Sequence, residues 1–141
     1  MADAPARFKD LCLDARDHQA LADWWCAAMG YVRRDEVEPP EDGWTRPADW
    51  PVPIVDPTGA GPLIWIVPVP EAKTVKNRLH LDVVVEDVEA AAARVVELGG
   101  SVALDAHREY GFSWRLATDP EGNEFSDLLT LRRRGPSSGG R

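Results

Sequence analysis

Cysteine is scarce in this 141-residue chain, which holds only Cys12 and Cys26. Two thiols are too few for a disulfide framework, and they lack the close spacing of a metal knuckle. Cys26 falls in a helical pattern and reads as a small buried apolar residue. Long apolar runs are missing too; none approaches the ~20 residues that a membrane span needs. The opening Met1-Ala2-Asp3-Ala4-Pro5 lacks the charged and apolar regions of a signal peptide, so a cytoplasmic location is expected. Basic residues are outnumbered, 16 against 24 acidic, for a net charge of −8. That excludes a general nucleic-acid binder, which needs a basic stripe. It is compatible with a cationic small ligand.

What is present is an ordinary globular composition, 44% hydrophobic and 28% charged, in a length that suits one domain with a proper core. Phe8 to Ala15 alternates as a strand, with Leu11 and Leu13 on one face and Asp10, Cys12 and Asp14 on the other. Asp17 is a good helix N-cap. Leu21, Trp24, Trp25, Ala28 and Met29 then recur at helical spacing, and Gly30 stands where a left-handed C-cap is wanted. Tyr31 to Val37 reads as a short strand. Residues 38–51, rich in Pro, Asp and Trp, read as a long loop folding over something. Pro51 to Val55 and Leu63 to Val67 form an expected hairpin around Asp56-Pro57-Thr58-Gly59.

The stretch from Lys76 to Asp87 predicts another strand, with Leu79, Leu81, Val83 and Val85 on one face and His80, Asp82 and Val84 on the other. Asp87 caps a helix over 88–98 with an apolar stripe of Val88, Ala91, Ala92, Val95 and Val96. Leu98-Gly99-Gly100 ends it. Ser101 to Leu104 is an expected strand. Ser113 to Ala117 and Phe125 to Leu131 make a second hairpin around Asp119-Pro120-Glu121-Gly122. The Arg-, Ser- and Gly-rich tail, 132–141, is expected to be disordered.

These elements come twice in the same order. Asp17 and Asp87, Gly30 and Gly100, and Asp10 and His80 all stand 70 apart, so each half reads strand–helix–strand–strand–strand. That order, with the segment from Val69 to Val83 and the run Asp119-Pro120-Glu121-Gly122-Asn123-Glu124-Phe125, resembles the glyoxalase-like domain branch of the vicinal oxygen chelate superfamily. This superfamily is also called the glyoxalase/bleomycin-resistance/dioxygenase group. The resemblance implies an α+β fold: two βαβββ modules, about residues 7–67 and 78–131 of a single 1–131 domain, forming an incurved mixed sheet around a cavity with helices outside. It also implies a monomer or a homodimer.

Metal-using relatives hold one divalent ion through His, Gln and Glu side chains, one from each of four strands. Carried over position by position, the resemblance places His80 on a ligand position and Asp10 on the first-strand position. The fourth strand, Ile64-Trp65-Ile66-Val67, has no coordinating side chain. Ser126 falls where a Glu is expected; Glu124 and Asp127 lie on the opposite face of a regular strand, and a bulge would bring either inward as a possible ligand. A complete metal site is therefore not expected, and no cofactor is assigned. The expected pocket face contains Asp10, Cys12, Asp14, Trp65, His80, Asp82, Trp114 and Ser126, with Val84 and Leu128. Trp24 and Trp25 pack in the core, whereas Trp44 and Trp50 sit in the loop, where indoles beside carboxylates stack flat or cationic ligands. Two functions follow from the resemblance. One is a metal-free binder of a small molecule, as in bleomycin-resistance members. The other is a lyase, isomerase or dioxygenase using an altered metal site or a His80/Asp10 acid–base pair.

Overall fold

A computed structural model of the chain describes residues 4–103, 107–109 and 112–129, with the side chains of 107–109, 112–114 and 126–129 set aside. The expected disordered tail and the ends of the strands expected to reach Leu104 and Leu131 lie outside the described residues. The chain divides into two compact units, Met1–Thr74 and Val75–Arg141. Its class is α+β.

In the first unit the chain runs β1 (Leu11–Ala15), α1 (His18–Met29), β2 (Val32–Arg33), α2 (Arg34–Val37), β3 (Val52–Val55) and β4 (Ile64–Pro68). The sheet order is β1-β4-β3-β2. β1 lies parallel to β4, while the β3–β4 and β2–β3 pairs are antiparallel. Helix α1 starts where expected: Asp17 Oδ1 accepts from the Ala20 N–H at 3.1 Å. It stops at Gly30, whose φ of 70° is left-handed. Its buried face is Leu21, Ala22, Trp24 and Trp25, packed on β3 and β4 against Val52, Ile54, Ile64 and Ile66. Each such side chain contributes roughly 1.5–3 kcal/mol on burial. Ala28, expected in that stripe, is exposed.

The second unit runs β5 (Asp82–Val84), α3 (Val88–Glu97), β6 (Ser101–Val102), β7 (His107–Glu109), β8 (Phe112–Trp114), β9 (Leu116–Thr118) and β10 (Glu124–Leu129). Its main sheet has the order β5-β10-β9-β6, with β5 parallel to β10. Strand for strand this matches the first sheet. The added hairpin β7–β8 has no counterpart there, and the strand expected from Ser113 to Ala117 is divided at Arg115 between β8 and β9. Asp87 Oδ1 caps α3 through the Ala90 N–H at 3.0 Å. The helix ends in a Schellman closure, Gly100 N–H to Val95 O at 2.9 Å and Gly99 N–H to Val96 O at 3.0 Å. The left-handed residue is Gly99, φ 98°, one position before the glycine that the 70-residue spacing pairs with Gly30. Val96, expected in the apolar stripe, is 57% exposed.

Two expected strands are shorter than the sequence suggests. Tyr31 to Val37 leaves β structure after Arg33, because Asp35 and Glu36 sit in the first turn of α2 and Asp35 is drawn into a bidentate pair with Arg46. Lys76 to Asp87 keeps only three strand residues. The Asn77 side chain explains why: its Oδ1 accepts from the Glu124 N–H at 3.1 Å and its Nδ2 donates to the Leu79 carbonyl at 3.1 Å. A side chain thus takes the place of ladder bonds there, and Leu79 is left 68% exposed.

Both Asp-Pro turns are held by their aspartates. Asp56 accepts from the Thr58 N–H at 2.8 Å, the Thr58 hydroxyl at 2.7 Å and the Gly61 N–H at 2.9 Å. Asp119, 2% exposed, accepts from the N–H groups of Glu121 and Asn123 and from Asn123 Nδ2. Replacing the cap aspartates, Asp17→Ala and Asp87→Ala, is expected to cost about 1 kcal/mol each in urea unfolding.

Candidate functional site

The parallel register sets Cys12 beside Trp65 and Leu13 beside Ile66. Ile64 and Ile66 point into the core, so alternation puts Trp65 on the other face, together with Asp10, Cys12 and Asp14. Four of the expected pocket residues are therefore neighbours on one sheet surface. Asp10 Oδ2 accepts from the Trp65 indole N–H at 3.1 Å and is also paired with the Lys9 ammonium. The Arg34 guanidinium lies 5.0 Å from the Trp65 ring centroid and that of Arg46 lies 5.7 Å away. The hydrogen bonds from Lys9 and then Trp65 hold the Asp10 carboxyl below its ordinary range. A carboxylate so stabilised stays an anion and is a weak proton acceptor, which suits charge pairing better than proton transfer.

The long loop has form. It contains a 3-10 turn at Glu41–Gly43, and its Ala48 carbonyl accepts from His18 Nε2 at 2.9 Å and Gln19 Nε2 at 3.0 Å. Arg46 binds Asp35 through Nε at 2.7 Å and Nη2 at 3.1 Å. Beneath this strap is a cleft of about 460 Å³ whose lining includes Gln19, Arg33, Trp44, Arg46, Val52 and Pro53. Arg46 joins the cleft to the sheet surface, since its guanidinium is 5.5 Å from the Trp44 ring as well as 5.7 Å from that of Trp65.

In the second unit His80 precedes β5 rather than lying in it, half-exposed, with Nδ1 3.4 Å from Asp82 Oδ1. Val84 is 64% exposed on the same alternation. Glu124 is paired with the Lys76 ammonium. The β5–β10 register passes from Ser126–Asp82 to Leu128–Val83, so Asp127 is a bulge residue. The side chains of Trp114, Ser126, Asp127 and Leu128 lie outside the described residues.

Among the described residues the donors do not fit a divalent ion in either unit. On the face of β4 turned away from the core stands an indole that donates a hydrogen bond, and Asp10 and Glu124 are each already paired with an ammonium group. Among the described residues no three His, Cys, Asp or Glu side chains gather into a group that could hold a metal. Sequence reasoning missed Arg34, Asp35 and Arg46. A strand was read through the first two; the basic residue two positions after Trp44, in an otherwise acidic loop, was the available signal for the third.

Three aspartates in this unit, Asp10, Asp35 and Asp56, are held below the ordinary 3.8 by hydrogen bonds, Asp35 chiefly through Arg46 and Asp56 chiefly through Thr58. A depressed folded-state pKa adds stability that is complete above the unfolded value and lost as pH falls through the folded one. Unfolding midpoints in urea should therefore drop steeply below pH ~4. The Arg46→Ala variant should show a shallower drop, because Asp35 no longer contributes.

No curated protein matches the sequence significantly. Among solved structures, a hypothetical protein from S. aureus has a TM-score of 0.64 at 17% identity, covering 91% of this chain and 100% of its own. A glyoxalase/bleomycin resistance protein/dioxygenase family enzyme from Burkholderia phytofirmans gives 0.63 at 14%, covering 88% and 98%. A fosfomycin resistance protein from Mesorhizobium loti gives 0.62 at 12%, covering 89% and 92%. At these identities the likeness concerns the fold. The family model for the glyoxalase-like domain matches residues 10–127, from the Asp10 that meets Trp65 to the bulge in β10, and the chain belongs to that family, within the vicinal oxygen chelate superfamily.

Proposed function

We propose that this chain is a small-molecule-binding member of its family that works without a complete metal site. The reading rests on the Asp10–Trp65 bond. The first-strand position that the family resemblance assigns to a metal ligand is here a carboxylate, and it is bonded at 3.1 Å to an indole of the fourth strand, which offers no coordinating side chain. With Arg34 over the ring, they form a polar and aromatic surface rather than a coordination sphere. Such surfaces, a few placed polar groups around an aromatic platform, are the usual make-up of small-ligand sites. A structural neighbour named for resistance to fosfomycin, a small molecule, is in keeping with this use of the scaffold.

A second reading, an enzyme of the superfamily, draws on His80 and Asp82. A carboxylate 3.4 Å from Nδ1 favours the tautomer that leaves Nε2 as proton acceptor. The partnership of His80 with Asp10 belongs to this reading.

Metal analysis together with a thermal-shift panel of small aromatic and cationic compounds separates the two. The expected result is Zn, Ni, Mn and Fe well below one equivalent after dialysis, with ligand-induced shifts that a chelator leaves unchanged. Trp65→Phe, which removes the indole N–H, should weaken the best binder by about tenfold, the size of one hydrogen bond to a charged group. One retained equivalent of metal, whose removal abolishes the shifts, would falsify the binder reading. Turnover of a panel compound that disappears in His80→Ala while binding persists would establish the enzyme instead.

A further inference from the structure

The cleft beneath the strap of residues 38–51 is a built recess. Its roof is fastened at two points, the Ala48 carbonyl by His18 and Gln19 and Arg46 by Asp35. Its volume of about 460 Å³ falls within the ~300–1,000 Å³ of small-molecule pockets. One wall is Trp44, 44% exposed, whose ring packs on Trp50 with centroids 5.8 Å apart and planes at 55°. The indole is thus oriented by a neighbouring ring and still presents uncovered apolar surface to a recess. Covering such surface gains ~25 cal/mol per Å².

The ionic groups decide which kind of flat molecule fits. Arg33 is spent on Asp23 through Nε and Nη2, at 3.1 and 2.8 Å, and on Gln19 through bonds of 2.7 and 3.0 Å. Arg46 is spent on Asp35. Each guanidinium in the lining is matched by one carboxylate, so neither is left to draw an anion. The strap itself carries Glu38, Glu41, Asp42 and Asp49 against one base, Arg46, and exposed Glu36 adds to the lining. With four acids against one base, the strap over the cleft is acidic and disfavours an anion. Trp44 also already accepts a cation against its ring, the Arg46 guanidinium at 5.5 Å. A second cation stacked on the indole binds severalfold more tightly than apolar burial alone allows, a neutral ring gains the burial alone, and an anion is disfavoured.

We propose that this cleft binds a flat organic cation, an aromatic ring system carrying a positively charged nitrogen, stacked on Trp44 with its charge toward the acidic strap. The site stands on the cleft's own walls and does not depend on whether the Asp10–Trp65 surface binds a ligand without metal.

Isothermal titration calorimetry of the full chain with N-methylquinolinium, quinoline and naphthalene-2-sulfonate tests this at neutral pH. Saturable binding of the quinolinium is expected, about fivefold weaker for neutral quinoline and undetectable for the sulfonate, with cation affinity falling as salt is raised. Trp44→Ala should weaken the cation about tenfold and Trp44→Phe should recover part of the loss. A Glu38→Gln/Glu41→Gln double variant should weaken the cation and leave quinoline unchanged. Circular dichroism of each variant checks that it is folded, and Trp44 is exposed enough to be replaced without disturbing the core. The proposal fails if the quinolinium does not bind saturably, if the sulfonate binds as well as the cation, or if folded Trp44→Ala titrates like the native protein.

Discussion

Parallel strands cannot be joined by a tight turn, so a chain that pairs β1 with β4 must spend everything between them on the crossover. In the first unit that crossover is α1, β2, α2, the strap and β3, and each earns its position from the one pairing. The helix covers the face that Ile64 and Ile66 turn toward it, and the opposite face is left to Asp10, Cys12, Asp14 and Trp65. The same strand order in the second unit, with β5 parallel to β10, has the same consequence there. One hydrogen-bonding choice, made twice, gives each unit a covered face and a face available for chemistry.

On the available face of the first unit, charge pairing dominates. Asp10 is held by Lys9 and Trp65, Asp35 by Arg46, and Arg34 lies over the indole. Asp10 and Asp35 are thus engaged by cations and N–H donors. Membership of a superfamily with many chemistries does not choose among them. The proposed recognition of a ligand by shape, stacking and charge rests on these residues instead.

How much of this was legible depended on how far apart the partners lie. The capped helices were readable because the Asp17 and Asp87 caps and the apolar stripes are local, within one or two turns. The Asp-Pro turns and the repeated order of elements were readable for the same reason. The four-residue α2 was not, because so short a helix has no period to detect, and its formation reflects the Arg46 that reaches Asp35 from the strap. Nor was the bond from Trp65 to Asp10, whose members are 55 residues apart. The sequence could place both on one face but could not say that they touch. The full-length strand from Lys76 failed through a single amide, Asn77, which no pattern of alternation reveals.

The two cysteines differ in a way that composition hides. Burial pushes the Cys26 thiol up to about 11, so at neutral pH only about one molecule in ten thousand carries the reactive thiolate there. Cys12 is exposed and in register with Trp65. Of the two thiols the more exposed one thus lies on the surface that carries Trp65. A label carried on Cys12 would therefore sit beside Trp65, on the same surface as Asp10.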